Sequence, residues 1–274
     1  MLIKNIKRIA LLSLCIGLIT SGCNTHGDNP ADNTNSNSAA TDNHPAAMAY
    51  TITNTYPHNP QSFTEGLEWH DSVLYEGTGL EKHSRMAVVS LKTGMDLKSV
   101  KLEDQYFGEG ITVLNGKIYE LTWQSGKAFV YDAKTFKKLK EFTYEGEGWG
   151  MTNNGKEIIM SNGSSKIVYR NPETFVITKT IDVTSDTGEV KYINELELVD
   201  GFIYANIWET KFIIKINPES GKVVAVADFA GLQEQYGINP QQVDVLNGIA
   251  YDSIGKRFFI TGKYWPKVFE VKFN

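Results

Sequence analysis

Phe107-Gly108-Glu109-Gly110-Ile111-Thr112-Val113-Leu114, then Asn115-Gly116, then Lys117-Ile118-Tyr119-Glu120-Leu121-Thr122-Trp123 is the stretch whose reading decides the fold. Two apolar runs flank Asn115-Gly116. That dipeptide supplies positive φ at both central positions of a type I′ turn. The stretch therefore predicts a β-hairpin. Glu109 stands at the start of its first strand and Trp123 at the end of its second, so both fall at one edge.

Versions of this hairpin recur along the chain. Asp71-Ser72, Asn154-Gly155, Asp200-Gly201 and Ile254-Gly255 occupy the place of Asn115-Gly116, at intervals of roughly 40–50 residues. A run such as Phe63–Trp69 or Ile193–Val199 precedes each turn, and one such as Val73–Glu76 or Phe202–Trp208 follows it. Third and fourth runs complete most units, among them Met86–Leu91 with Leu97–Leu102, and Phe212–Asn217 with Val223–Phe229. Alternation and β-branched enrichment favour strands throughout. Four antiparallel strands at this period are the mark of a propeller blade. The last unit ends at its third strand, Val268–Phe273, while Tyr50–Tyr56 precedes the first hairpin with the pattern of a fourth. The expected fold is all-β: a five-bladed β-propeller over residues 49–274 with the N-terminal strand closing the last blade. Closure removes an open sheet edge. The long connection Ala230–Gln242 has room for a short helix carrying Leu232, Tyr236 and Ile238.

Lys4, Lys7 and Arg8 precede an apolar run, Ile9–Thr20, too short to span a bilayer as a helix. The run ends in Thr20-Ser21-Gly22-Cys23, which resembles the cleavage and lipidation site of bacterial lipoproteins. Residues 1–22 are expected to be a lipoprotein-type signal peptide and Cys23 the lipidated residue. The alternative is an ordinary signal peptide that happens to contain a cysteine. The expected location is periplasmic or outer-membrane anchored. Residues 23–48, rich in Asn, Asp, Thr, Ser and Ala, read as a flexible tether. Cys15 lies in the apolar run, so a processed chain keeps no thiol for a disulfide, a metal or a nucleophile. A net charge of −5 without a basic patch argues against nucleic-acid binding. A monomer is expected.

In a propeller the first strand of each blade lines the central channel and its start opens on one rim. Six residues before each turn stand Glu65, Glu109, Gly148, Asn194 and Gly248, with Trp149, Glu195 and Asn247 one step away. Eight residues after each turn stand Gly79, Trp123, Asn162, Trp208 and Gly262, with Lys263 next. All are expected near one rim. Carboxylates, amides, a lysine and three tryptophans suit one small pocket. Each has an ordinary alternative. Glu109 alone would cap a backbone amide, a single Trp would pack blade on blade, and Lys263 would be solvated. Glu68 and Glu197, spaced by two from channel positions, face the channel or satisfy turns. The His residues show no metal-ligand spacing, and His58, His70 and His83 read as solvated loop residues. No Gly-rich loop opens a helix and no Ser sits in a nucleophile elbow.

Phe63-Thr64-Glu65-Gly66-Leu67, Phe107-Gly108-Glu109-Gly110, Leu121-Thr122-Trp123, Gly148-Trp149-Gly150-Met151, Asn194-Glu195-Leu196-Glu197, Asn206-Ile207-Trp208 and Thr261-Gly262-Lys263-Tyr264-Trp265, in this order, resemble the glutamine cyclotransferase family, the plant- and bacterial-type glutaminyl cyclases. The resemblance covers residues 50–273 and implies a five-bladed propeller. It implies that the protein converts N-terminal glutamine of peptides or proteins to pyroglutamate with release of ammonia. It also implies Glu109 as the catalytic carboxyl group, Asn194 and Lys263 as contacts to the reacting amide, and Trp123, Trp149 and Trp208, with Phe63 and Glu65, around the substrate. Glu65 stands where plant members often have Gln. No catalytic metal and no cofactor is implied. The competing readings are a calcium-dependent lactonase-like propeller hydrolase using Glu65, Asn194 and Asn247 as oxygen ligands, and a propeller that only binds.

Overall fold

The computed structural model describes residues 44–274. The expected signal peptide, Cys23 and most of the expected tether lie outside the described residues. Five four-stranded antiparallel sheets follow one another in the chain. Blade one holds Thr64–His70, Val73–Thr78, Arg85–Val89 and Asp96–Lys101. Blade two holds Gly108–Leu114, Lys117–Thr122, Lys127–Asp132 and Lys138–Thr143. Blade three holds Met151–Asn153, Ile158–Ser161, Lys166–Arg170 and Ile177–Asp182. Blade four holds Ile193–Val199, Phe202–Ile207, Phe212–Ile216 and Val223–Asp228. Blade five holds Leu246–Asp252, Arg257–Gly262 and Lys267–Phe273, and its outer strand is Tyr50–Pro57, paired antiparallel with Lys267–Phe273. The N-terminal strand thus closes the ring as expected.

Three of the five hairpins are two-residue turns: His70 pairs Val73, Leu114 pairs Lys117 and Val199 pairs Phe202. Asp71 and Ser72 both hold positive φ, as do Asn115 with Gly116 and Asp200 with Gly201. The other two are four-residue loops, between Asn153 and Ile158 and between Asp252 and Arg257. There the side-chain oxygens of Asn154 and Asp252 accept backbone N–H groups two and three residues on, the turn chemistry that Asx residues supply locally.

The innermost strand of each blade is buried almost throughout, and the outermost strands of blades one, two and three are mostly exposed. The core lies between blades: Leu67 and Leu74 meet Ala250, Phe259 and Val268, and Tyr75 and Met86 meet Ile111, Ile118 and Phe129. The Ala230–Gln242 connection carries a one-turn helix, Leu232–Gln235, which seats Leu232, with Ile238 beyond it, against Phe229, Trp265 and Phe269.

Carboxylates sew the blades together inside the channel. Glu68 accepts the Val113 N–H. Glu195 accepts those of Leu67 and Ile249. Glu197 accepts that of Tyr251 and the Thr152 hydroxyl. Burial pushes all three above the ordinary carboxyl range, Glu68 to about 7. Glu68 and Glu197 therefore act across blades rather than at turns.

Two expectations are corrected. His58 is not solvated. It is buried, with Nε2 at 2.8 Å from Glu76 and Nδ1 at 2.7 Å from the Trp265 carbonyl. Glu76 also pairs with Arg85. Burial alone would raise the Glu76 carboxyl, but His58 and Arg85 hold it at about 2. A buried carboxylate needs such partners, and here they come from another segment. The second concerns the end of the expected tether, of which residues 44–48 are described. Ala46–Ala47 adds a parallel strand to Ala225 and Val226 at the outer edge of blade four, and Met48 joins the cluster of Phe229 and Trp265. An open edge and an apolar side chain suffice to dock this segment.

Candidate active site

The innermost strands share a local device. In blades one, two, four and five the register with the second strand shifts at the same place: between Thr64 and Gly66, Gly108 and Ile111, Ile193 and Leu196, and Leu246 and Ile249. These bulges fall on Glu65, Glu109, Asn194 and Asn247. A bulge re-aims a side chain and is favoured next to reactive sites. Four strands therefore turn a polar residue toward one mouth. Close approach of the strands themselves demands glycine: a Cβ on Gly110 would stand 2.5 Å from the Trp149 carbonyl oxygen, and one on Gly150 2.0 Å from that of Asn194. Glu-Gly and Trp-Gly pairs thus combine a projecting side chain with a backbone that can pack.

At the centre, Lys263 Nζ donates to Glu65 Oε1 at 2.6 Å, with both side chains buried. Asn247 Nδ2 donates to the Thr64 carbonyl at 3.0 Å and reaches Glu65 Oε2 at 3.4 Å. Glu109 lies beside Glu65 and feels its charge. Burial is the largest influence on Glu109, and the Glu65 charge adds to it; Lys263 opposes both, and the Glu109 carboxyl stays well above the ordinary range. Burial likewise raises Glu65, against the pull of Lys263. The three groups set two carboxyls against one ammonium.

Aromatic rings wall this cluster. Lys263 Nζ lies 4.4 Å from the Phe63 ring centroid. Phe63 meets Phe107 edge-on at 6.0 Å and Tyr264 at 5.2 Å, and Phe107 meets Trp123 at 5.6 Å. Trp149 and Trp208 cross edge to face at 5.7 Å, with Tyr192 at 6.0 Å from Trp208. A Cβ on Gly163 would strike the Trp149 indole at 2.6 Å, so the ring lies flat on that glycine. Glu147 accepts hydrogen bonds from the indole N–H groups of both Trp123 and Trp149.

Of the residues expected here, Glu65, Glu109, Lys263 and Phe63 come into direct contact, and Trp123, Trp149 and Trp208 join them through shared aromatic and hydrogen-bond contacts. Asn194 sits on the blade-four bulge behind Gly150 and stays outside the carboxyl–lysine cluster; its Oδ1 is buried without a partner. Phe107, Tyr192, Tyr264 and Glu147 also belong to the site, and the last three carry no periodic signal of their own. Phe107, two residues before Glu109 as Phe63 is two before Glu65, was legible from that repeat.

No three His, Cys, Asp or Glu residues are grouped to hold a metal ion among the described residues. The calcium-site reading also meets a charge conflict, because the Lys263 ammonium occupies the Glu65 oxygen that such a site would use.

A sequence profile of the glutamine cyclotransferase family matches residues 29–273. The chain belongs to the glutamine cyclotransferase family. It is 35% identical over 220 residues to the glutaminyl-peptide cyclotransferase of Arabidopsis thaliana, covering 79% of this chain and 69% of that one. The crystal structure of Myxococcus xanthus glutaminyl cyclase superposes with a TM-score of 0.78 at 32% identity, covering 84% of this chain and 99% of that one. The five-bladed propeller, and the position of this cyclotransferase among enzymes, agree with the expectation drawn from the motifs.

Proposed function

We infer that this glutamine cyclotransferase closes the N-terminal glutamine of a peptide or protein to pyroglutamate, with Glu109 carrying the proton. The observation that carries the reading is the Glu65–Glu109–Lys263 cluster at the foot of an aromatic mouth. The α-amine attacks the side-chain carboxamide carbon of the same residue, so holding the two ends together supplies much of the rate. The attacking nitrogen gains positive charge and must lose a proton. The departing nitrogen must gain one to leave as ammonia. Glu109, beginning as a carboxylate, takes the first proton and returns it for the second. Its raised proton affinity brings it nearer the working pH, where a carboxyl group serves both steps best. Lys263 keeps two further N–H donors beyond the one engaged with Glu65, and these face the developing oxyanion. Asn194 offers its unpartnered Oδ1 to an amide N–H. Trp123, Trp149 and Trp208 exclude water and hold the aliphatic part of glutamine. The positive charge a metal would bring comes from Lys263. A cleft of about 500 Å³ on the same rim, reaching Gly79 and Tyr264, has room for the peptide beyond its first residue.

We also propose export as a lipoprotein anchored through Cys23, on the strength of Thr20-Ser21-Gly22-Cys23. Peptides beginning with Gln are the proposed partners.

The test is mass spectrometry of a Gln-initiated peptide incubated with the protein, with and without a strong chelator. The expected result is loss of one ammonia from the peptide in both arms and no change in its N-acetylated form, whose nitrogen cannot attack. Conversion that the chelator abolishes would return the calcium-dependent reading. No conversion in either arm would favour the binding-only one.

A further inference from the structure

Two of the three pocket tryptophans depend on one carboxylate that takes no part in the chemistry above. Glu147 lies in the connection between blades two and three, in Glu145-Gly146-Glu147-Gly148-Trp149. Its Oε2 accepts the Trp123 indole N–H at 2.8 Å and the Trp149 indole N–H at 2.9 Å, and its Oε1 accepts the Gln124 side-chain amide at 2.8 Å. Trp123 comes from blade two and Trp149 from blade three, so one oxygen atom joins indoles of neighbouring blades. Trp123 is 37% exposed and meets a single ring, Phe107. Packing alone does not fix such an indole. The connection is built to deliver the carboxylate: Gly146 holds φ +84°, and the Gly148 N–H donates to the Trp123 carbonyl at 2.9 Å. Burial by itself would raise the Glu147 carboxyl, but its three donors hold it below the ordinary range. It is an anion whenever the enzyme works, and hydrogen bonds to an anion are the strong ones.

We propose that Glu147 is a positioning residue that sets the angle of the Trp123 and Trp149 indoles and so the width of the glutamine pocket. The proposal rests on the function inferred above. Glu147 acts through the indoles and not on the reacting atoms, so its removal bears on substrate binding more than on turnover.

The experiment compares Glu147→Ala and Glu147→Gln with the wild type in steady-state kinetics on one Gln-initiated peptide, together with near-ultraviolet circular dichroism of the free proteins. Glu147→Ala removes all three charge-assisted bonds, two of them from the indoles. KM is expected to rise by about 10–100-fold, the weight of one such bond, with kcat changed by only a few-fold. The indole dichroism is expected to change as Trp123 is released. Glu147→Gln keeps an oxygen for the two indoles and is expected to restore KM to within a few-fold of wild type and to keep the wild-type dichroism. An unchanged KM in Glu147→Ala, or equal loss in both variants, would overturn the proposal. Should the wild type turn over no glutaminyl peptide, the functional reading fails, and the dichroism arm still decides: unchanged indole bands in Glu147→Ala overturn the clamp as well.

Discussion

Glu109→Gln is expected to lower kcat by about 10²–10⁴-fold, the usual weight of a positioned acid–base group, while the protein stays folded. Glutamine is nearly isosteric with glutamate, but its amide neither takes a proton from the attacking amine nor gives one to the departing nitrogen. Stability has no reason to suffer. Glu109 is buried beside another carboxyl, and replacing it by a neutral group removes a repulsion. Steady-state ammonia release alongside a thermal melt separates the two. A variant that melts like wild type and turns over slowly is the expected result. Retention of near-normal kcat would remove Glu109 from the reaction.

Lys263→Met is expected to lower kcat by about 10²–10³-fold, the range for losing one donor to a developing oxyanion. Methionine fills a similar volume against Phe63 without the charge. A second consequence follows from the same contact. Lys263 opposes the upward pressure of burial and of Glu65 on the Glu109 proton. Without the cation Glu109 holds a proton more tightly, so a larger part of the enzyme stands protonated at a given pH. The loss should therefore be greater on the acid side of the pH profile than on the basic side. A uniform loss across pH would indicate that Lys263 serves the oxyanion alone. A loss of only a few-fold at every pH would remove it from the reacting centre.

The ring of blades was legible because its signals are local. Asn115-Gly116 and Asp200-Gly201 can form one kind of turn, and the apolar runs on either side have period two. Even closure of blade five by Tyr50–Pro57 follows from counting strands. The edge residues were legible for the same reason. Counting back six from a two-residue turn lands on Glu65, Glu109 and Asn194 because the bulge falls at one place in each of those strands. The count slips by one in blades three and five. In blade three Trp149 and Gly150 both face Ser161, but the run from there to the loop, Met151–Asn153, is one residue shorter than Ile111–Leu114, so the projecting residue is Trp149 and not Gly148. In blade five the loop begins at Ser253 rather than Ile254, which moves the count from Gly248 to Asn247. What stayed hidden depends on contacts between distant segments. His58 looked like a loop residue because nothing near it in sequence shows that Glu76, in the second strand of blade one, requires it. The raised proton affinity of Glu109 depends on the ring bringing two blades and Lys263 together. Glu147 sits in an aperiodic connection, where only the partners of its oxygens reveal what it does.

The central claim is that a single carboxyl group, Glu109, moves the proton, and that its affinity for that proton is set by Glu65 and Lys263. The most direct test is the pH dependence of kcat/KM for the wild type and Glu65→Gln with the same Gln-initiated dipeptide. The substrate amine is common to both, so any difference in the acid limb belongs to the enzyme. Glu65→Gln removes the negative charge that helps to raise Glu109 and frees the Lys263 ammonium to attract it. Both changes favour the Glu109 carboxylate, the form that accepts the first proton. The account predicts that the acid limb moves to lower pH in Glu65→Gln. A limb that stays in place or moves to higher pH would contradict it.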